Sequence, residues 1–372
     1  AWTFLNTGGQ GWTTKTAPHL CQEVSEVLAQ GGAVFLYDQP QRSGRITAWH
    51  GDLFGQVAGF CRKRQEYCHN SQTIPQVALL HSETAYYKHN APLFNFGDAN
   101  EGMEGALHAL LECGLSVDIL NEDALVKRMA EYPVVVVPDT DEFAPEVGAA
   151  LREYVAKGGR LLASGTGAAK VFADISGVTV EEGQIPSAFL PAANGCVHTP
   201  GPYAKVKLAS AREVASLRFQ QDPEQTCGPA STVNTVGQGR VALIHGPVFT
   251  SYVKGHYPLL RRFIADAFDS LDTPGLIKME GPWWIELSAR KKDGRTLLQF
   301  VNRASGGYTS PNRHHVESVP DAGPFTVRVP MAAKPRRCFM APDETGLDWT
   351  WKDGVLTAQV AGLGIHNVLV IE

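Results

Sequence analysis

The sequence predicts an α/β chain that ends in an all-β region. Three observations carry this. First, Tyr132-Pro-Val-Val-Val-Val-Pro-Asp-Thr140 sets four valines in a row between two prolines. That reads as a strand buried on both faces, as in a parallel sheet covered by helices. Second, short apolar runs alternate with helical patterns from Val77 to Ala163, as in a doubly wound sheet. Third, beyond Asp272-Thr-Pro-Gly275 the apolar period changes to two, the mark of antiparallel strands.

Ala1 to Leu5 is a short apolar opening, and Asn6 to Thr16 reads as a Gly/Thr-rich loop. Pro18 suits a first helical turn, with Leu20, Val24, Val27 and Leu28 at helical spacing and Gly31-Gly32 as the stop. Ala33 to Tyr37 reads as a short buried strand, followed by the polar loop Asp38 to Gly44. A helix is expected from about Asp52 to Tyr67. Ser71 to Gln76 is a polar linker.

In the next stretch, strands are expected at Val77 to Leu80, Val117 to Leu120, Val134 to Val137 and Arg160 to Ala163. Helices are expected at Gly102 to Cys113, Asp123 to Ala130 and Pro145 to Lys157, with irregular chain from Thr84 to Asn100. Asp139 and Asp141 follow the valine strand, where the ligand-facing edge of such a sheet lies. From Val171 to Gly237 the pattern loosens into short strands and turns. Arg240 to Ile244 restores a buried strand, and Leu259 to Leu271 a closing helix. The last part has short strands at Trp283 to Leu287, Thr296 to Asn302, Phe325 to Val329, Val355 to Val360 and Asn367 to Ile371. Lys292-Asp-Gly294 and Lys352-Asp-Gly354 are hairpin turns. Together these describe a β-sandwich.

Composition bounds the function. A chain of 372 residues holds two or three domains. A net charge of -5 without a long basic run argues against a nucleic-acid surface. No apolar stretch approaches the ~20 residues of a membrane span. The seven cysteines are scattered, which is no disulfide framework, although one bridge is compatible with the count. The first residue is Ala1 and not Met. The expectation is a processed, cleaved or partial chain, whose compartment the sequence does not state.

In this order the parts resemble the C-terminal portion of multidomain glycoside hydrolases of the α-L-fucosidase and β-galactosidase kind. The carrying residues are Phe35-Leu-Tyr-Asp-Gln-Pro-Gln-Arg-Ser-Gly44 with Trp49-His50, then Val77-Ala-Leu-Leu-His-Ser82, Glu101 to Gly114 and Val134 to Asp139, and finally Leu298-Gln-Phe-Val-Asn302 with Gly364-Ile-His-Asn-Val368. The resemblance implies three domains. Residues 1–75 would be the last strands and helices of a (β/α)8 barrel. Residues 76–272 would be a flavodoxin-like, glutamine amidotransferase-like parallel sheet of the β-galactosidase trimerisation type. Residues 273–372 would be a C-terminal antiparallel β-sandwich. It further implies a carbohydrate substrate, a homo-oligomer and no cofactor. The main catalytic carboxylates would lie outside this chain, in the remaining barrel segment or a companion chain, since two strands cannot close a barrel.

The candidate site residues are therefore substrate-binding ones, and none is assigned a catalytic or metal-binding role. Asp38, Gln39 and Arg42 follow a barrel-type strand, at the face where barrel active sites lie. A carboxylate and an amide there suit sugar hydroxyls; the same residues also suit a solvated loop with an Arg-Asp pair. Trp12 and Trp49 suit stacking on a sugar ring or packing at a barrel rim. His50, before a helix, is a ligand or a capping residue. Glycoside hydrolysis needs two carboxylates across one bond, and Asp38 finds no convincing second in its own unit. The alternatives are a non-catalytic carbohydrate-binding or scaffolding subunit, and an amidase- or esterase-like hydrolase at Ser164 with His245 or His256 as partner. The adjacent His314-His315 pair is a poor chelate, because neighbouring residues of an extended chain point apart.

Overall fold

A computed structural model of the chain describes residues 1–6, 12–91, 93, 100–192, 195–306 and 315–372, without the side chains of Asn6 and Trp12. The chain divides into two units. Unit 1 comprises Ala1–Ile74, Gly114–Ser116 and Ile277–Glu372; unit 2 comprises Pro75–Cys113 and Val117–Leu276.

Unit 2 is built on a nine-stranded sheet. Its parallel half runs, in spatial order, Val117–Asn121, Val77–His81, Val134–Val137, Arg160–Ser164 and Gly239–Ile244. All four valines of the third strand are fully buried, which is the double-sided burial expected of a strand between helix layers. The connecting helices start where the sequence supplies caps. Ser82 accepts from Ala85 N at 3.0 Å and Asn121 from Ala124 N at 2.9 Å, while Pro145 opens the helix Pro145–Ala156. The helix Glu101–Glu112 lies so close to Val248–Gly255 that a Cβ on Gly105 would stand 1.9 Å from the Phe249 carbonyl oxygen. Only glycine fits there.

The stretch expected to loosen into short strands is instead a long antiparallel extension. Val178–Ala192 and Gly195–Leu208 pair as a hairpin, followed by Arg212–Arg218 and Thr226–Val236. Gly183, Pro186, Pro191, Pro200 and Pro202 read as breaks in the sequence. In the fold they sit in an irregular ladder, with register shifts between Val180 and Gln184 and between Ile185 and Ser187. Bulges admit glycine and proline without ending a strand. A helix Glu83–His89 also occupies part of the stretch expected to be irregular.

Unit 1 is a sandwich with two helices on its outside. A four-stranded sheet runs Lys278–Glu280, Phe325–Pro330, Val355–Val360, Asp348–Lys352. A six-stranded sheet runs Thr345–Gly346, Cys338–Ala341, His366–Ile371, Arg295–Asn302, Ile285–Lys292, Gln72–Thr73. Period two is visible in the packing. Leu298, Phe300, Leu369 and Ile371 face the core between the sheets. Their neighbours Leu297, Val368 and Val370 face outward onto Leu28, Tyr67 and Cys68 of the helices Ala17–Ala29 and Ala48–Cys68. Both predicted hairpin turns have left-handed φ at both central residues, 50° and 77° at Asp293-Gly294 and 51° and 77° at Asp353-Gly354. All seven cysteines are free thiols. Among the described residues no helix is long and apolar enough to cross a membrane.

The helix-sheet contact holds a buried polar network. Arg64 donates from Nη2 and Nε to the His366 carbonyl oxygen, at 2.7 and 3.2 Å, and from Nε to His366 Nδ1 at 3.1 Å. His366 Nε2 lies 3.1 Å from Gln299 Oε1, which also accepts from Cys68 Sγ at 3.3 Å. Burial, and then the Arg64 charge, push His366 down to about 3. Unfolded histidine titrates near ~6.5, so the unfolded chain binds this proton first and stability falls as pH drops from ~6.5 towards that value. His366→Gln is expected to flatten this part of the stability-pH curve, read by urea unfolding at a series of pH values. A slope equal to the parent's would contradict the assignment.

In unit 2, Glu112 takes hydrogen bonds from Tyr252 Oη, from Arg261 Nη1 at 2.8 Å and from the His256 ring at 2.6 Å. Burial raises its pKa, but these three partners outweigh it and hold it below the usual carboxylate range. The stability it contributes is complete above the unfolded value of ~4.3 and is lost as pH falls through the folded one. Glu112→Gln is expected to cost ~2–4 kcal/mol at neutral pH, and the gap to the parent should narrow in acid when both are unfolded with urea.

Candidate functional site

The predicted site residues of unit 1 collect where two backbone segments run side by side. Tyr37 N donates to Ala1 O at 2.9 Å and Thr3 N to Tyr37 O at 3.0 Å, and Trp2 bridges Tyr37 in parallel. This seats Asp38 beside Thr3. The fully buried Thr3 hydroxyl lies 2.6 Å from Asp38 Oδ1 and 3.1 Å from the Tyr37 carbonyl oxygen. The other Asp38 oxygen, Oδ2, lies 3.2 Å from His50 Nδ1. The His50 Nε2 lies 3.1 Å from Thr14 Oγ1. His50 is buried, in the first turn of the helix Ala48–Cys68, and the exposed Trp49 ring packs on it at 3.7 Å between centroids. The result is a cluster of Thr3, Asp38, His50 and Thr14 beside the tilted Trp49 indole. Asp38 Oδ2 lies near Nδ1 at ion-pair distance but makes no hydrogen bond among the described residues, so the hydrogen bonds here are Thr3 to Asp38 Oδ1 and Thr14 with His50 Nε2.

Beside this group runs an open groove of about 750 Å3 lined by Trp2, Phe4, Val24, Val27, Phe35 and Tyr37 among others. The expectation of a buried strand at Ala33 to Tyr37 needs correction. Phe35 is 74% exposed, and the segment pairs only through the contacts with Ala1–Thr3. A strand gains two-sided burial from neighbours on both edges, and here the second edge has none among the described residues. Gln39 lines the groove, and Arg42 is exposed on the loop that turns at Gly44, φ +76°. Trp12 begins the strand Trp12–Thr14, which pairs with Phe4–Asn6 where a loop was expected; its side chain lies outside the described residues. Asp38, Trp49 and His50 are thus brought together, while Gln39 and Arg42 are not part of this cluster. Thr3 and Thr14 carry no sequence signal, because only the parallel pairing and the hairpin bring them there.

The carboxylate pair that unit 1 does assemble is elsewhere. Burial, and then the neighbouring Glu286 carboxylate, push Glu26 up to about 9, and Arg303 Nε lies 2.8 Å from Glu286 Oε1. Neither glutamate lines the groove, whose own acid, Glu23, is paired with Lys15 at 2.6 Å.

In unit 2 the expected ligand edge is present as a crevice of about 310 Å3 at the ends of Val77–His81 and Val134–Val137, lined by Ser82, Asp139, Asp141 and Thr250 among others. Asp139 adopts φ +43° and is pushed up to about 6 by burial, against hydrogen bonds from Ser164 and Thr250. The proposed nucleophile Ser164 is itself fully buried. Its Oγ donates to Asp139 Oδ1 at 2.6 Å and accepts from Asp139 N at 2.8 Å. His245 Nε2 lies 3.1 Å from Thr232 Oγ1, and His256 is paired with Glu112. Neither histidine is a hydrogen-bond partner of Ser164, so these contacts lock a turn and do not activate a nucleophile. Of the two adjacent histidines, His314 lies outside the described residues.

No family model matches the chain, and no curated protein matches it. Solved structures do. The α-L-fucosidase isoenzyme 2 from Paenibacillus thiaminolyticus is similar over 100% of this chain and 59% of its own, at 19% identity and TM-score 0.82. The β-galactosidase from Bacillus circulans sp. alkalophilus is similar over 100% of this chain and 55% of its own, at 14% identity and TM-score 0.64. The β-galactosidase from Halorubrum lacusprofundi is similar over 100% and 53%, at 16% identity and TM-score 0.60. The chain therefore has a glycoside hydrolase-like fold and spans little more than half the length of these proteins.

Thr3→Val removes the donor to Asp38 while keeping shape. It is expected to lower stability by ~1–2 kcal/mol in urea unfolding, the usual cost of leaving a buried acceptor unsatisfied, with Thr3→Ser close to the parent. An unchanged Thr3→Val midpoint would remove the hydroxyl from the group.

Proposed function

We propose that the chain is part of a glycoside hydrolase. Residues 1–75 supply the closing segment of a (β/α)8 barrel with its substrate-binding loop, residues 76–272 a flavodoxin-like oligomerisation domain, and residues 273–372 a β-sandwich. The observation that carries this is the open groove. Two parallel segments, each followed by a helix, present Trp2, Phe35 and Tyr37 outward along an edge with no third strand among the described residues. That is the condition of the last two staves of a barrel without their neighbours. The strand order of unit 2, with its second strand outside its first, supports the flavodoxin-like reading.

In this reading His50 and Trp49 face the sugar. Trp49 offers a stacking surface beside the buried His50, with Asp38 and Thr3 as positioning residues and Gln39 and Arg42 on the surrounding loop. Acid and base come from outside this chain, because Asp38 is engaged by Thr3 and the groove's own carboxylate, Glu23, is held by Lys15. The engagement of both carboxylates also favours the second reading, a non-catalytic carbohydrate-binding or scaffolding subunit built on the same site. The contacts of Ser164 support neither an amidase nor an esterase.

The chain alone is expected to leave nitrophenyl glycosides intact. Addition of a co-purifying polypeptide of barrel-front size, or a longer form of the same polypeptide, should restore hydrolysis, and His50→Ala within that active form should lower kcat/KM by about 10–100-fold. Turnover by the chain alone would overturn the placement of acid and base. Sugar binding without turnover in the combined material would select the non-catalytic reading.

A further inference from the structure

Unit 2 contains a cavity of about 660 Å3 that the reading above does not use. Its size lies within the ~300–1,000 Å3 of small-molecule sites. One wall is the helix Pro258–Asp269, which presents Leu259, Phe263 and Asp266 at helical spacing. The opposite wall is sheet, with Ser216 and Arg218 from Arg212–Arg218 and Ser231 from Thr226–Val236; Gln221 follows at the rim. Two polar atoms here are buried without a hydrogen-bond partner among the described residues, Arg218 Nε and Ser231 Oγ. Ser231 is 1% exposed. Buried polar groups are almost always partnered, so two unmet ones lining one cavity call for an explanation.

The charges decide what fits. Arg218 repels a cation, and Asp266 on the facing helix repels an anion. Ser216, Ser231 and Gln221 add donors and acceptors of no net charge. Phe263 and Leu259 add an apolar wall. We propose that this cavity binds a neutral polyhydroxylated ligand, a single sugar residue, through hydroxyls on Arg218, Gln221 and Asp266 and a carbon face on Phe263 and Leu259. The argument stands apart from the proposed function, since no residue is shared with the Asp38–His50 group.

The test is titration of the full chain carrying His50→Ala, which silences the unit 1 site, with D-galactose, D-glucose and L-fucose, followed by ligand-observed NMR. At least one sugar is expected to bind with a dissociation constant on the order of millimolar. Arg218→Met should weaken it about 10-fold or more, as loss of a hydrogen bond to a charged donor does. Asp266→Asn, at an exposed position that folding tolerates, should weaken it less. Sodium phosphate and D-galacturonate should bind no better in the parent than in Arg218→Met. Three outcomes overturn the inference. One is no saturable binding of any neutral sugar. Another is sugar binding that both variants leave unchanged. The last is phosphate binding that Arg218→Met abolishes, which would mark an anion site.

Discussion

The guanidinium of Arg64 is the interaction on which unit 1 depends. It is a buried positive charge whose hydrogen bonds go to the His366 carbonyl oxygen and ring and to the Phe60 carbonyl oxygen. Such a charge is tolerated only if its donors are met, and His366 must stay neutral to accept one of them. The price of protonating His366 is therefore high, which is why burial and Arg64 act on it in the same direction. Arg290 makes a second clamp of the same kind, donating to the Gln30 carbonyl oxygen at 2.9 Å and to Ser71 Oγ at 3.2 Å. Together they fasten the helices Ala17–Ala29 and Ala48–Cys68 to the sandwich.

This matters for the site because one helix carries both ends of the argument. Arg64 lies near the C-terminal end of Ala48–Cys68, and His50 lies in its first turn, roughly 21 Å away along the axis at 1.5 Å per residue. With the far end held by hydrogen bonds and by Tyr67 and Cys68 against Leu297 and Val370, the first turn is a rigid mount for Trp49 and His50. Asp38 then needs only the short pairing with Ala1–Thr3 to reach Nδ1.

Unit 2 distributes its charge differently. Its parallel strands bury mainly apolar side chains, and two of its ionisable groups, Asp139 and Glu112, sit at a strand end and a helix end. Asp139 follows the valine strand with a left-handed φ, held by Ser164 and by Thr250 N at 2.7 Å. Glu112 closes the helix Glu101–Glu112 and meets Tyr252, His256 and Arg261. Donors fixed by the fold outweigh burial at Glu112, whereas at Asp139 burial outweighs them.

Local pattern by itself determined the element types wherever a period or a cap was strong: the four-valine strand, the helices opened by Pro18 and Pro145, the Asp-Gly hairpins, and the switch to period two after Gly275. It also singled out Asp38, Trp49 and His50. Sequence alone misread the long hairpin from Val178 to Leu208, since glycines and prolines look the same in a bulge as in a loop. It misread Ala33 to Tyr37 because an apolar run does not state how many neighbours its strand has. Thr3, Thr14 and Arg64 were invisible as members of any group, because hydrogen bonds between residues 35 to 302 positions apart form only once tertiary structure has chosen which elements are adjacent.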